Sequence, residues 1–320
     1  MKKIIFLSMK FFGYENTICK YISDNGFDCE LLHSEPNYSY FDSLMKKLDK
    51  NWFFKVTNNY IKDKISNIDR CDYLIINFSP NLSPCSIGYF REKFPNVKII
   101  YYIWDSVDNF PNVVNIAKCC DKVYSFDRKD CRDYGYSFLP LFYTPVDESH
   151  NTKEYDYSMI FSIYPQKIDN YKALSSVIPS NRIGFRHIFV PKSKYYYYKV
   201  ISEKFRTLSK KDVCFTPLPR QKVYEVFNAS KVTIDCPLTS QRGLTMRTFE
   251  ALSLGIKIVT TNKDIVNYDF YNPQNIFIVE DENTLIPEDF FDTPFDNSFS
   301  MKGYSINQFV IKLLAEVKND

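Results

Sequence analysis

Nearly continuous runs of β-branched and aromatic residues, alternating with stretches of helical spacing, constrain this chain more than any other feature. Residues 3–8, 27–33, 73–78, 97–104, 122–126 and 137–142 read as strands. Strands apolar on both faces must be covered on both, so they belong to a parallel sheet wrapped by helices. The first interval shows the repeating unit: a helix over about 15–24 stops at Asn25-Gly26, where glycine supplies a left-handed cap, and a strand follows. The tract 37–59 is expected to be helical as well. A polar stretch without periodicity, 143–152, reads as a linker. Beyond it a second series begins, with strands at 158–163, 184–190, 213–216, 231–236, 256–260 and 275–279. Its helices are expected at 169–177, 193–208, 221–229 and 244–254. A chain of 320 residues exceeds what one core usually organises, so two doubly wound α/β domains are expected, 1–147 and 148–300. In the remaining segment, 301–320, Ile306, Phe309, Val310, Leu313, Leu314 and Val317 form an apolar stripe, with Ser305 and Gln308 as a capping box. Such a helix must pack on something, and the first domain is the expected partner.

Several function classes drop out on composition. The 41 basic and 38 acidic residues leave a net charge of only +3, too balanced for general nucleic-acid binding, so any anion site must be local. Nine cysteines without a CxxC pair suit reduced thiols in a cytosol. The run after Met1-Lys2-Lys3 is too short for a signal peptide and meets Lys10 at once, and no apolar stretch approaches the ~20 residues that span a bilayer. A cytoplasmic protein is expected. The eight glycines form neither GxGxxG nor a GxxxxGK[ST] loop, which removes the dinucleotide and phosphate-loop fingerprints. His33, His150 and His187 have no nearby ligand partners, and no two Asp are separated by a single residue. No metal and no cofactor is expected.

The strongest positive signal lies in 240–262, Ser-Gln-Arg-Gly-Leu-Thr-Met-Arg-Thr-Phe-Glu-Ala-Leu-Ser-Leu-Gly-Ile-Lys-Ile-Val-Thr-Thr-Asn. It follows a strand, turns at Gly243, runs through a helix and stops at Gly255. Backbone N–H groups at a helix start bind phosphate well, and Arg242 and Arg247 flank the turn with the planar fork that suits it. Glu250 lies two turns after Gly243, where a carboxylate accepts hydrogen bonds from a ribose diol. An exposed i, i+3 ion pair of Arg247 with Glu250 is the plainer alternative. Arg220 and Lys222 form a second basic pair between a strand end and a helix start; a solvated surface pair is the competing reading.

This arrangement resembles the donor-site motif of GT-B glycosyltransferases, a Gly-turn leading into a helix that ends Glu-Ala-x-x-x-Gly. The wider string, with Tyr101-Tyr102-Ile103-Trp104-Asp105-Ser106, Phe126-Asp127, Leu139-Pro140-Leu141-Phe142-Tyr143 and Tyr268-Asp269-Phe270-Tyr271-Asn272-Pro273, is similar to a bacterial group for lipopolysaccharide, capsule or exopolysaccharide biosynthesis. The resemblance implies two Rossmann-like domains facing a cleft, acceptor domain first and donor domain second. It implies that Glu250 holds the nucleotide ribose while Arg242, Thr245 and Arg247 contact the diphosphate or the sugar; Gln241, Gly243 and Leu244 of the same turn, and Arg220 and Lys222 by their position, complete the expected donor site. Many retaining members carry Glu where this chain has Arg242, a residue able to neutralise the pyrophosphate or recognise an acidic sugar. The loop Phe161-Ser162-Ile163-Tyr164-Pro165 also lacks the usual glycine.

On the acceptor side, Gly13, Tyr14 and Glu15 fill the first strand-to-helix loop and Trp104 ends the central strand. Asp105 is the candidate general base of an inverting transfer, with Glu15 and Asp127 as substitutes; a helix N-cap is its structural alternative. Lys192-Ser193-Lys194-Tyr195-Tyr196-Tyr197-Tyr198-Lys199 reads as a half-buried helix with snorkelling lysines, with a surface for anionic lipid or a stacking platform for single-stranded nucleic acid as the alternatives. The expected partners are therefore a nucleotide-sugar donor, a glycan or lipid-linked acceptor and the inner face of the cytoplasmic membrane, and no nucleic acid. A catalytically silent module that binds a sugar nucleotide or glycan is the other class of function; a sugar-nucleotide epimerase would need a His and acidic constellation that is hard to find here.

Overall fold

The computed structural model describes residues 1–11, 13–49, 51–145, 152–281 and 283–318. The chain divides into two compact units, Met1–Pro140 joined by the segment from Ile306 onward, and Leu141–Ser305. The divisions fall at Pro140 and Ser305 rather than at 147 and 300, and residues 146–151 of the expected linker lie outside the described residues.

In the first unit β1 (Lys3–Ser8), β2 (Asp28–His33), β3 (Tyr73–Asn77), β4 (Lys98–Ile103), β5 (Lys122–Ser125) and β6 (Ser137–Phe138) form one parallel sheet in the order β2-β1-β3-β4-β5-β6. Every residue of β3 and all but the first of β4 are buried, as two covered faces require. Helices α1 (Tyr14–Asp24), α2 (Tyr40–Leu48), α3 (Trp52–Ser66), α4 (Pro84–Lys93), α5 (Val113–Ala117) and α6 (Arg128–Tyr134) connect the strands. Gly13, at φ 81°, takes the left-handed turn that starts α1. The tract 37–59 resolves into α2 and α3, while α4, α5 and α6 occupy intervals without a sequence assignment. The expected strand 137–142 shrinks to β6 because Pro140 has no N–H to continue the ladder.

The second unit holds β7 (Tyr155–Ser162), β8 (Gly184–Phe189), β9 (Ser230–Asp235), β10 (Lys257–Thr260) and β11 (Ile276–Ile278), also all parallel, in the order β11-β10-β9-β7-β8. Its helices are α7 (Ile168–Ser176), α8 (Lys192–Ile201), α9 (Glu203–Arg206), α10 (Arg220–Asn228) and α11 (Met246–Ser253). Two expectations fail here. The strand at 213–216 is reduced to one bridge between Cys214 and Phe189, since Pro217 and Pro219 follow. The helix over 193–208 breaks at Ser202, whose extended backbone and Oγ, 3.3 Å from the Phe205 N–H, cap α9.

The chain then returns to the first unit as α12 (Ile306–Leu313) and α13 (Ala315–Lys318). Ile306, Phe309, Val310 and Leu313 form the buried face of α12, and Phe309 meets Tyr102 edge-on at 5.0 Å. Lys2 Nζ donates to the Val317 carbonyl at 2.8 Å, and Lys122 pairs with Glu316 at 3.0 Å.

Candidate functional site

Each sheet changes winding direction beside its first strand, between β1 and β3 in the first unit and between β7 and β9 in the second. Ligands of open α/β sheets bind beyond the strands' carboxyl ends at such switch points.

In the second unit Asp235, only 4% exposed, ends β9 at that place. Thr245 Oγ1 lies 3.1 Å from both of its carboxylate oxygens and Thr248 Oγ1 3.4 Å from one. Burial pushes the Asp235 pKa above the ordinary carboxylate value, against the pull of Arg247, Lys167 and the two hydroxyls. Lys167 closes a short turn, Pro165–Lys167, and lies 5.5 Å above the Phe161 ring and 5.3 Å above that of Tyr164. Burial lowers its pKa, Cys236 and Asp235 opposing and Arg247 adding to the decrease. The glycine-free loop after β7 thus delivers a lysine to the switch point.

Arg247 donates to the Ile160 carbonyl of β7 and stacks 5.5 Å over Phe227. Glu250 is 8% exposed, so the two do not form an exposed-face pair. Instead Tyr224 Oη donates to Glu250 Oε1 at 2.9 Å and accepts from Arg220 Nη2 at 3.2 Å. Arg220, Tyr224 and Glu250 therefore belong to one network. Lys222 does not: it pairs with Glu225 at 3.0 Å and lies towards Glu154 and Tyr155, beside the amino end of β7.

The helix begins at Met246 with Thr245 as its N-cap, later than the expected start at 244. Thr245 spends its hydroxyl on Asp235 and places no side-chain bond on the first-turn N–H groups of α11. Leu244 is 1% exposed and anchors the loop in the core, so its side chain is no ligand contact. Gln241 Nε2 donates to the Gly243 carbonyl at 2.9 Å, and Asn262 Nδ2 reaches the carbonyls of Arg242 and Gly243 at 2.9 and 3.2 Å. These bonds fix the loop backbone while the Arg242 side chain stays exposed. Asp235, Lys167 and Tyr224 carry no motif signal of their own, and Asn262 closes the 240–262 segment without a role read for it; the end of a strand was the only pointer to Asp235.

In the first unit Tyr14 and Trp104 join Phe11 in an aromatic cluster, with ring centroids 5.5 to 6.2 Å apart. Glu15 is 4% exposed and accepts from the Phe11 N–H at 3.0 Å, which closes the loop around Gly13. Asp127 is fully buried, caps α6 through the Lys129 N–H at 2.8 Å and takes the Ser106 hydroxyl at 3.1 Å. Both substitutes for the base are thus committed to the scaffold. Asp105 Oδ1 accepts from the Ser106 N–H at 2.7 Å and Asn109 Nδ2 at 2.8 Å. Burial raises the Asp105 pKa, outweighing those two bonds, and Asp127 adds to the rise. Among the described residues, no three or more His, Cys, Asp or Glu side chains gather as a metal-binding group.

No protein-family model and no curated protein matches the sequence. Solved structures do resemble the chain. The N-terminal domain of Candida albicans trehalose-6-phosphate phosphatase superposes with a TM-score of 0.64 at 7% identity, over 100% of this chain and 97% of that one. A glycosyltransferase from Rickettsia africae ESF-5 gives 0.58 at 12% identity, covering 99% and 98%. The UDP-GlcNAc 2-epimerase of Methanocaldococcus jannaschii gives 0.55 at 9% identity, covering 100% of both. The fold is GT-B. At these identities the likeness establishes architecture alone. Among the described residues, no helix is long and apolar enough to cross a membrane.

Proposed function

We propose that the chain is a glycosyltransferase that moves a sugar from a nucleotide-sugar donor to a hydroxyl of a glycan or lipid-linked glycan, in cell-surface polysaccharide synthesis. The cluster beyond β7 and β9 supports this reading: two basic side chains, Arg247 and Lys167, act electrostatically on one buried carboxyl group, Asp235, beside a helix start without a side-chain cap. That balance leaves room for an anion. The donor diphosphate would lie against Arg247, Lys167, Arg242 and the first N–H groups of α11, and Glu250 would take the ribose diol. Fixed positive charge aimed at the departing diphosphate stabilises the transition state without a metal. The kinship in fold with a glycosyltransferase and a UDP-GlcNAc epimerase supports a sugar nucleotide as the ligand.

The first unit would hold the acceptor, with Asp105 as general base; burial moves its pKa in the direction such a base needs. The half-exposed Tyr196 and Tyr197, with Val200, Ile201 and the lysines of α8, suit a peripheral contact with the inner membrane face. A catalytically silent sugar-nucleotide-binding module is the second reading, favoured by the scaffold roles of Glu15 and Asp127. Thermal shift against nucleoside diphosphates and their sugars, followed by donor hydrolysis, separates the two. Stabilisation with turnover supports the enzyme, stabilisation without turnover the module, and no response to any nucleotide refutes both.

A further inference from the structure

The switch point of the first unit carries a small notch of about 40 Å³ lined by Met9, Phe11, Asn77, Phe78, Trp104 and Asp105. These residues lie at or just past the carboxyl ends of β1, β3 and β4, and three observations give the notch a chemical preference. Asn77 is 3% exposed, and its Nδ2 donates to Ser8 Oγ at 3.0 Å. Ser8 in turn donates to the Met9 carbonyl at 2.9 Å, which fixes the direction of the chain and leaves Asn77 Oδ1 as an acceptor. That oxygen is buried with no donor among the described residues. Asp105, half-buried, adds a second acceptor: both of its hydrogen bonds fall on Oδ1, and Oδ2 receives none among the described residues.

Phe78 is held at φ 26°, in the left-handed region that a bulky side chain rarely enters. Its N–H reaches the Tyr102 carbonyl at 3.0 Å and its ring packs edge-on against Phe110 at 5.1 Å. Strain of this kind persists where surrounding contacts over-determine it, and it collects at ligand sites.

We infer that this notch is the specificity subsite for the acceptor, taking a hydroxyl or hydroxymethyl group of a neutral sugar whose C–H face lies on Trp104 and Phe11. The inference rests on the transferase reading and names the substrate chemistry of its acceptor side. Two acceptors without donors repel a phosphate or carboxylate and call for O–H groups. At about 40 Å³ the notch is small, on the scale of a hydroxyl or hydroxymethyl group. The rings of Phe11 and Trp104 and the Met9 side chain offer an apolar face for the C–H groups of a sugar ring. Asn77 and Phe78 are thereby specificity-determining, and Asp105 faces the same hydroxyls.

The chain has two tryptophans, so Trp52→Phe leaves Trp104, beside the notch, as the sole indole to excite selectively. Its fluorescence is titrated with neutral methyl hexosides, their monodeoxy analogues, and amino and uronic methyl hexosides, alongside nucleoside diphosphate thermal shifts. The expected result is a saturable response to at least one hexoside, weakened ~10-fold or more by loss of one hydroxyl. The same loss is expected in Asn77→Leu at unchanged circular dichroism. The deoxy series needs no variant at Asn77, so a misfolded Asn77→Leu does not blunt the test. Absence of any response while nucleotides still stabilise the protein overturns this inference and leaves donor binding standing. A response only to amino or acidic sugars, or one unchanged in a folded Asn77→Leu, also overturns it. A saturable hexoside response with no nucleotide stabilisation upholds the subsite and refutes the donor site.

Discussion

Tyr224 sits where the proposed ribose would bind, and replacing it by phenylalanine separates a competitor from a scaffold. The hydroxyl donates to Glu250 at 2.9 Å beneath a largely excluded surface, and accepts from the exposed Arg220 at 3.2 Å. A hydrogen bond to a charged acceptor contributes ~1.5–3 kcal/mol and an exposed one little, so Tyr224→Phe should cost about 2 kcal/mol. The stacking of Arg220 over the ring survives the change. For a unit of this size the loss lowers Tm by ~4–8 °C. If ribose hydroxyls take over Glu250, the nucleotide displaces a bond that the variant no longer has. Tyr224→Phe should then bind nucleoside diphosphate as well as the native chain or up to ~10-fold better, whereas Glu250→Gln weakens it by a similar factor. Calorimetric titration and melting on the same samples read both quantities. Weakened binding in Tyr224→Phe, equal to that in Glu250→Gln, would refute the competition and make the tyrosine part of the ribose wall.

Arg247→Met should lose over ~10-fold in nucleotide affinity and destabilise the second unit, because Asp235 keeps only Lys167 and two hydroxyls. Adding Asp235→Asn should recover part of the stability, with a coupling of ~1–3 kcal/mol by urea titration, but none of the affinity; recovery of both would make the arginine purely structural. Asp130, fully buried, has its pKa pushed up to about 6 by burial, so the folded state keeps a proton that the unfolded chain has lost from about pH 4 upward. Its contribution is fully present below about pH 4 and is lost as pH rises through 6, on the order of 3 kcal/mol from a rise of about 2 pKa units. Urea midpoints of Asp130→Asn should lack that fall, and equal slopes in both proteins would sink the assignment. Co-sedimentation with anionic vesicles should be lost in Tyr197→Glu or Ile201→Glu, while zwitterionic vesicles bind neither form; retention in both variants removes α8 as the contact.

The strands were legible because burial on both faces writes an unbroken apolar run, and residues 3–8 are β1 to the residue. What escaped was set by punctuation. Pro217 and Pro219 deny residues 213–216 a ladder, and the Ser202 cap divides one expected helix into two. The start of α4 was readable in Ser83-Pro84, a capping serine followed by a first-turn proline, but it stands in an interval given no element. Within the candidate site, spacing along one element placed Arg247 and Glu250 on α11 without saying what they touch. Arg220 and Lys222 looked like one pair, yet residues two apart on a helix point about 200° apart, so only the first reaches Glu250 through Tyr224.

The remainder depends on which strands become neighbours, and no local pattern encodes that. Asp105 and Asp127 have the same signature, an aspartate just past an apolar strand, and as sequence they are interchangeable. In the sheet β4 lies next to β3 and β5 lies on its far side. Asp127 therefore meets Ser106 and the start of α6, where both oxygens are spent on the scaffold. Asp105 meets the notch beside Asn77 and keeps one oxygen for it. Exchanging charge for amide at the two positions should expose the difference: Asp127→Asn lowers Tm by weakening the cap of α6, with acceptor affinity in the surviving folded protein unchanged. Asp105→Asn should leave Tm nearly unmoved, because burial already disfavours its charge, and should remove transfer while donor binding persists. Turnover intact in Asp105→Asn would discard it as the base, and strand order would then have selected the wrong aspartate.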